Sequence, residues 1–150
     1  MKTVVITGSA RGFGLEMLKL FRKENFNTVI CDVNEETIKG AKENLKKING
    51  KGKVLAYQTD ITKEEEVNNL ISEVKKETKE IDIWINNAGV NQPNKPIWEV
   101  DKKTIDRLID IDLKGTILCS KLIMKVMIDQ KHGQIFNVEG HGSNDAKILG

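Results

Sequence analysis

Three glycines near the amino terminus have the spacing of a loop that can hold phosphate groups. Gly8, Gly12 and Gly14 follow the apolar run at residues 3–6 and precede a helical pattern. A strand that turns directly into a helix needs a residue that accepts positive φ. The first N–H groups of the helix then point at the place where an anion can bind. Glycines with such spacing also occur in ordinary turns. For this loop alone, a pyrophosphate cradle and a simple turn are both open.

Acidic and amide side chains follow later apolar runs. Asp32 lies 18 residues after Gly14 and ends an apolar run, Asp60 follows the next run, and Asn-Asn-Ala-Gly occupies residues 86–89. An acidic residue about 20 residues beyond such glycines is positioned to bind a ribose hydroxyl. Parallel strands present their carboxyl ends at one edge of a sheet, where ligands bind. These residues therefore predict a dinucleotide site.

Strands and helices that carry these residues alternate along the chain. Apolar runs predict five strands, at residues 3–7, 28–32, 53–57, 81–85 and 134–138. Helical periodicity and capping residues predict four helices: about Gly14 to Glu24, after Asn34 to near Asn49, after the cap Thr62, and Asp101 to about Gln130. Strands joined by helical crossovers form right-handed βαβ units. The predicted fold is α/β, a doubly wound, Rossmann-like parallel sheet of about five strands with flanking helices, in one domain over residues 1–150.

Taken together, the motifs resemble the short-chain dehydrogenase/reductase family. The resemblance is carried by Thr-Gly-x-x-x-Gly-x-Gly at residues 7–14, by Asp60 and by Asn-Asn-Ala-Gly at residues 86–89, and it extends over the whole chain. It implies an NAD(P)-dependent oxidoreductase that transfers a hydride between the nicotinamide and an alcohol or ketone. The chain corresponds to the first part of a typical member. We therefore expect an NAD(P)-binding domain that is truncated at its carboxyl-terminal end relative to the family.

The resemblance also implies which residues contact the cofactor. They are Gly8, Ser9, Arg11, Gly12, Phe13, Gly14, Asp32, Val33, Asp60, Ile61, Asn87, Ala88 and Gly89. Asp32 is expected to bind the adenosine ribose diol and to repel a 2′-phosphate, whereas the guanidinium of Arg11 can pair with that phosphate. A rigidly held carboxylate should outweigh an arginine on the rim of the loop. NAD is therefore predicted in preference to NADP.

Catalytic residues of the family are only partly represented. The family uses a tyrosine with a lysine four residues later, but the single tyrosine, Tyr57, is followed at that distance by Ile61. Asp112 takes the position of the family's relay asparagine, where it either accepts a hydrogen bond from water or simply lies in a helical turn. Gly140 takes the serine position, and Ser143 either replaces that serine or is a loop hydroxyl. Asp112 and Ser143 are thus the candidate catalytic residues.

The run from Ile135 to Ser143 is weakly similar to the chlorophyll b reductase branch of the family. Three functions remain open for the chain: an oxidoreductase of this family, a dinucleotide-binding module without catalysis, and another Rossmann-like enzyme such as a methyltransferase that binds S-adenosylmethionine. The glycine spacing and the Asn-Asn-Ala-Gly run argue against the methyltransferase.

Composition narrows the choice of partners and of compartment. A net charge of +2 with 39% hydrophobic residues indicates a soluble globular protein that binds neither nucleic acid nor membrane. Cys31 and Cys119 lie in apolar patterns that indicate core thiols, and neither they nor the two histidines have the spacing of a metal site. The amino terminus leads directly into the first strand, so a cytoplasmic protein is expected.

The helix predicted at residues 101–130 carries many apolar residues. Its carboxyl-terminal half contains more apolar residues than we expect one helix face to bury, namely Leu118, Leu122, Ile123, Val126 and Met127. An exposed apolar surface indicates an interface, so the sequence predicts a homo-oligomer through this helix. The fifth strand, at the edge of the sheet, is expected to be a second surface for association.

Overall fold

In a computed structural model of the protein, residues 1–91 and 94–139 are described, and strands alternate with helices. In chain order the elements are β1 (Thr3–Thr7), α1 (Gly12–Lys23), β2 (Asn27–Asp32), α2 (Glu35–Lys46), β3 (Val54–Gln58), α3 (Glu64–Thr78), β4 (Ile83–Asn86), α4 (Lys102–Leu108), α5 (Thr116–Gln130) and β5 (Gln134–Asn137). A short 3₁₀ turn, Ile97–Glu99, precedes α4. A π-helical segment, Ile109–Gly115, joins α4 to α5.

All five strands are parallel and form one sheet in the order β3-β2-β1-β4-β5. β1 lies in the middle, where Val5 is in register with Val29 of β2 and with Trp84 of β4. The chain moves outward to β3 on one side and then crosses back over β1 to β4. The strand order therefore reverses beside β1, at the point where open α/β sheets bind ligands. This arrangement confirms the predicted doubly wound fold.

Alternate side chains of the central strands enter two hydrophobic cores, one on each face of the sheet. Val4 and Ile6 pack with α1 and α2, whereas Val5, Val29 and Trp84 pack with α3 and α5. All five side chains are fully buried, and burying an aliphatic side chain of this size contributes about 1.5–3 kcal/mol. Because helices cover both faces, these strands are continuously apolar in sequence.

Helix starts agree with the sequence where a side chain caps the first turn. Oδ1 of Asn34 accepts the N–H of Thr37 at 2.9 Å, as predicted for the start of α2. The prediction that Thr62 caps the third helix is wrong, because Lys63 occupies the cap position and its side chain forms no capping bond. The Thr62 hydroxyl instead donates to Oδ1 of Asp60 at 2.7 Å. The side chain expected to cap α3 therefore forms a hydrogen bond within the turn that precedes the helix.

The helical stretch predicted over residues 101–130 consists of α4, the π segment and α5. It starts at Asp101, as predicted, and Oδ1 of Asp101 caps it by accepting the N–H of Thr104 at 2.8 Å. π-Helical segments are rare and occur often at functional sites. This one carries Asp112 towards the loop after β4.

The second helix is shorter than predicted and ends at Lys46.

The surplus apolar residues of α5 are not the ones that the sequence suggested. Ile123 and Met127 are buried, and the other three residues of that predicted set are half-buried. The exposed apolar side chains of the helical stretch are instead Ile105, Ile109, Leu113, Ile117, Met124 and Ile128. On the same side, β5 is the edge strand of the described sheet, and about half of Phe136 is exposed. The apolar surface exists, but a different set of residues forms it.

Candidate functional site

The loop between β1 and α1 turns through two glycines with a left-handed backbone. Gly8 has φ of +61° and Gly12 has φ of +56°. A Cβ atom on Gly8 would lie 2.6 Å from the Cα of Ala88, so a side chain there would clash with the loop after β4. No atom other than those of Gly12, its chain neighbours and its own helix backbone lies within 4 Å of the equivalent position on Gly12. Gly8 thus allows the two loops to meet, and Gly12 leaves backbone open to a ligand.

A hydrogen-bonded clamp joins the loops after β1 and β4. The side-chain amide of Asn87 donates to the carbonyls of Thr7 at 2.9 Å and Gly8 at 3.1 Å. The hydroxyl oxygen of Thr7 accepts the N–H groups of Asn87 and Ala88, each at 3.0 Å. A Cβ atom on Gly14 would lie 2.6 Å from Nδ2 of Asn87. The third glycine is therefore needed so that α1 can start beside this clamp.

Asp32 is held beside the glycine loop by backbone groups. Its Oδ2 accepts the N–H of Ala10 at 3.2 Å, and its Oδ1 accepts the N–H of Val33 at 2.8 Å. The buried hydroxyl of Ser9 donates to a carbonyl of β1 at 2.6 Å and accepts an N–H of β2 at 3.2 Å. Ser9 therefore fixes the loop to both strands, so that the carboxylate of Asp32 has a defined position.

Asp60 lies after β3 with its carboxylate in a network of donors. The N–H and the hydroxyl of Thr62 donate to Oδ1 at 3.0 and 2.7 Å, and Nζ of Lys63 is 3.7 Å from Oδ2. Burial acts to raise the pKa of Asp60, but the bonds from Thr62 and the charge of Lys63 bring the pKa below its usual value. The carboxylate is therefore anionic at neutral pH.

These groups surround a cavity of about 190 Å³ at the carboxyl edge of the sheet. Nine of the predicted cofactor residues line it: Gly8, Arg11, Asp32, Val33, Asp60, Ile61, Asn87, Ala88 and Gly89. The remaining four, Ser9, Gly12, Phe13 and Gly14, do not line it. Ser9 and Gly14 are buried, and the side chain of Phe13 is exposed.

Sequence reasoning missed four residues that line the cavity. They are Thr59, Val90, Arg107 and Ile111. Thr59 and Val90 are direct neighbours of predicted residues, so a wider reading of each strand end would have included them. Arg107 and Ile111 are four residues apart on one helical face, a spacing that puts them side by side. The sequence around Arg107 and Ile111 contains no signal that this helical face lies against the cavity beside the glycine loop.

Asp112 is the candidate catalytic residue that lies within the described part of the chain. Its Oδ1 accepts the N–H of Val90 at 2.8 Å, and a Cβ atom on Gly89 would lie 3.4 Å from that oxygen. Asp112 therefore links the π segment to the loop after β4. Ser143 and Gly140, the other positions considered for catalysis, lie outside the described residues.

The two cysteines are free and buried, as predicted. Burial raises the pKa of both thiols, that of Cys119 to about 12, so they are protonated at neutral pH and poor nucleophiles. Within residues 1–91 and 94–139 there is no group of three or more His, Cys, Asp or Glu side chains that could hold a metal ion. In the same part of the chain, no helix combines the length and apolar character needed to cross a membrane.

The strand order, with a glycine loop at its reversal point, defines the class of doubly wound nucleotide-binding α/β domains. Within this class, the sequence profile described as short chain dehydrogenase matches residues 2–148. The chain belongs to this family of oxidoreductases. Proteins of the family bind nicotinamide cofactors: one similar structure, a xylitol dehydrogenase, is NAD⁺-bound, and another, a metagenomic short-chain oxidoreductase, is in complex with NADP.

Individual relatives agree with the family assignment. The chain is 37% identical to the short chain dehydrogenase/reductase dpfgG of Gibberella zeae over 99% of this chain and 55% of that protein. It is 35% identical to the chloroplastic chlorophyll(ide) b reductase NOL of Arabidopsis thaliana, over 94% of this chain and 41% of that protein, which confirms the resemblance to that branch. A crystal structure of a short chain dehydrogenase from Bacillus anthracis has a TM-score of 0.89 and 31% identity, covering 97% of this chain and 59% of that one. The chain spans about half the length of the curated relatives it matches.

Proposed function

We propose that this chain is the NAD-binding part of an oxidoreductase that transfers a hydride between the nicotinamide and an alcohol or ketone. The observation that carries the proposal is the Asp32 carboxylate, which the N–H of Ala10 holds beside a glycine loop with open backbone at Gly12. The pyrophosphate binds at Gly12 and the amino terminus of α1, because helix N–H groups and the helix dipole both favour an anion there. When bound, the cofactor supplies the hydride donor or acceptor.

The remaining cofactor contacts follow the order of the strands. Asp32 binds the hydroxyl groups of the adenosine ribose, and Asp60 and Ile61 flank the adenine. The other ribose and the nicotinamide lie along Asn87 to Gly89. Support comes from the cavity that these residues line together.

NAD is proposed rather than NADP because of the charge at the end of β2. Asp32 would repel a 2′-phosphate at close range, whereas Arg11 lines the same cavity and would attract one. The Asp32 carboxylate accepts two backbone N–H groups, while the side chain of Arg11 is exposed. Because the Asp32 carboxylate has a fixed position, it repels a 2′-phosphate in every conformation of the loop. This repulsion is therefore expected to outweigh the attraction by the side chain of Arg11. The neighbouring Val33, 59% exposed, adds no positive charge.

The 150 residues alone are proposed to have little or no dehydrogenase turnover. Tyr57 is the single tyrosine, and no lysine stands four residues after it. Removing a general acid lowers a rate by roughly 10²–10⁴. The same observation favours the second candidate function, a dinucleotide-binding module without catalysis.

A second copy of the chain is the proposed partner. The exposed apolar side chains from Ile105 to Ile128 follow one side of the helical stretch. Lys121 and Asp129 line a groove on this side of α5. In an antiparallel pair of α5 helices, Lys121 of one copy would face Asp129 of the other, but Lys125, which lines the same groove, would face Lys125 of the other copy. The exposed apolar side chains, and not the charges, are therefore the basis of the proposed pairing. A cytoplasmic location stays a prediction from the sequence, since one matched relative is chloroplastic.

Calorimetry with the purified chain tests the proposed function. We expect NAD⁺ to bind, NADP⁺ to bind more weakly and S-adenosylmethionine not to bind. Assays with NAD(H) and NADP(H) against alcohols and ketones should then detect no rapid turnover. Binding of S-adenosylmethionine in place of NAD⁺ would refute the assignment, and rapid turnover would refute the non-catalytic reading of the chain alone.

A further inference from the structure

We infer that Asp112 makes the nicotinamide end of the site bind NAD⁺ in preference to NADH, an inference that rests on the proposed binding of NAD(H). The oxidised nicotinamide ring carries a positive charge and the reduced ring is neutral, while the rest of the cofactor is unchanged. Charged protein groups near the ring therefore discriminate between the two forms most strongly. A carboxylate in that position favours the oxidised cofactor over the reduced one.

The topology determines which end of the site receives the nicotinamide. A dinucleotide bound at the reversal of strand order spans the crevice from one side of the central strand to the other. Asp32 at the end of β2 defines the adenosine side. The other nucleotide must then lie on the β4 side of the glycine loop, where Gly89 and Val90 line the cavity.

Asp112 contacts this same loop after β4. Its Oδ1 is 2.8 Å from the backbone nitrogen of Val90 and 3.4 Å from the position of a Cβ atom on Gly89. The carboxylate is thus beside the cavity wall that the nicotinamide half would contact. Within the described part of the chain, Asp112 forms no ion pair, whereas the nearby Asp110 is paired with Lys114 at 2.7 Å.

Arg107 contributes a positive charge to the same cavity. That charge is present with either cofactor form, and a substitution at Asp112 leaves it unchanged. The change in preference on neutralising Asp112 therefore reports the contribution of Asp112 itself.

The expected size of the effect follows from Coulomb's law. For charges on the order of 8 Å apart and an effective dielectric of roughly 40–80, suited to an exposed carboxylate, the preference changes roughly 2- to 6-fold. Salt screens such an interaction, so the effect should be largest at low ionic strength.

Asp112→Asn is the matched test, because the asparagine oxygen can still accept the N–H of Val90 while the charge is lost. Dissociation constants for NAD⁺ and for NADH would be measured at low salt by calorimetry and by nicotinamide fluorescence. We expect the preference for NAD⁺ to fall roughly 2- to 6-fold. Asp110→Asn, with the same charge change on the same π segment, is the control and should change the preference less than Asp112→Asn, because Asp110 does not contact the loop after β4. Asp112→Ser is a second neutral variant should Asp112→Asn fail to fold.

The outcomes separate this inference from the proposed function. If the unmutated chain binds neither NAD⁺ nor NADH, the proposed function fails and the inference fails with it. If both forms bind but neutralising Asp112 leaves their ratio unchanged, or if Asp110→Asn changes it equally, the inference alone is overturned.

Discussion

At the residue scale, one oxygen atom joins the two loops of the site. The hydroxyl oxygen of Thr7, in a side chain that is 1% exposed, accepts the N–H groups of Asn87 and Ala88. Thr7→Val keeps the shape but leaves both donors without a partner. We expect a loss of about 1–3 kcal/mol in the free energy of unfolding, measured in urea. Thr7→Ser keeps the acceptor and should lose less; equal stability of the two variants would contradict this role.

Asp32 is proposed to determine the choice between NAD and NADP through its negative charge. Asp32→Ala removes the proposed acceptor for the ribose hydroxyls and the repulsion of a 2′-phosphate. We expect NAD⁺ affinity to fall roughly 10-fold or more, and the preference over NADP⁺ to narrow. Calorimetry with both cofactors measures each effect, and Glu36→Ala, a loss of one exposed carboxylate in α2, is the charge-matched control. Equal affinities for NAD⁺ and NADP⁺ in the unmutated chain would remove the basis for this role of Asp32.

Asp60 should make part of the stability depend on pH. Because its folded pKa is below the usual value, its contribution is present at neutral pH and is lost as the pH falls through that lowered pKa. Thr62→Val removes the hydroxyl donor and should move the Asp60 titration to higher pH. A carboxyl-detected NMR titration would follow it, and an unchanged titration would show that the Thr62 hydroxyl does not stabilise the carboxylate.

At the scale of elements, the start of α1 depends on the absence of a side chain. A Cβ atom on Gly14 would lie 2.6 Å from Nδ2 of Asn87 and 2.9 Å from the oxygen of Gly8. Both atoms belong to the clamp between the loops, so they cannot move without breaking hydrogen bonds. The third glycine of the motif therefore serves the contact between α1 and the loop after β4.

Gly14→Ala should destabilise the protein by about 1–3 kcal/mol, the usual cost of forcing atoms into packed space. The matched control is Gly40→Ala in α2, where the added methyl group would have no atom within 4 Å apart from its own helix backbone and chain neighbours. Alanine is the better helix former, so this variant should be more stable by up to about 1 kcal/mol. Thermal and urea unfolding measure both, and similar changes at the two positions would show that the contact with Asn87 is unimportant.

At the scale of the whole molecule, one side of the described fold is apolar and lacks a covering layer. Ile117 is 58% exposed and Ile128 is 69% exposed, and β5 beside them has no second strand partner among the described residues. Exposed apolar surface and a free strand edge both favour association. The other edge strand, β3, is mostly half-buried.

We expect the isolated chain to self-associate at micromolar concentration, as measured by light scattering. Ile128→Glu introduces a charge into the proposed contact and should shift the chain towards monomer. Leu20→Glu, on the exposed side of α1 over the other face of the sheet, is 62% exposed and should have no effect. A stable monomer of the unmutated chain would contradict the proposed interface.

The fold class, the five strands and most of the residues around the cavity could be predicted from the amino-acid sequence. Glycine spacing, continuous apolar strands and polar strand ends are local signals, and each follows from backbone sterics or burial. The loop at residues 7–14 was predictable because a strand that turns directly into a helix needs residues with positive φ. Gly8 and Gly12 have that backbone conformation in the structure.

Contacts between distant segments could not be predicted from the sequence, because they depend on how the elements pack. Helix periodicity predicts that α5 has a buried side but not which apolar residues remain outside, since that depends on how the helix packs on β4 and β5. Arg107 and Ile111 reach the cavity, and Asp112 reaches Val90, because α4 and the π segment lie beside the loop after β4 in the folded chain. These choices depend on which groups meet in space, and local sequence does not encode that.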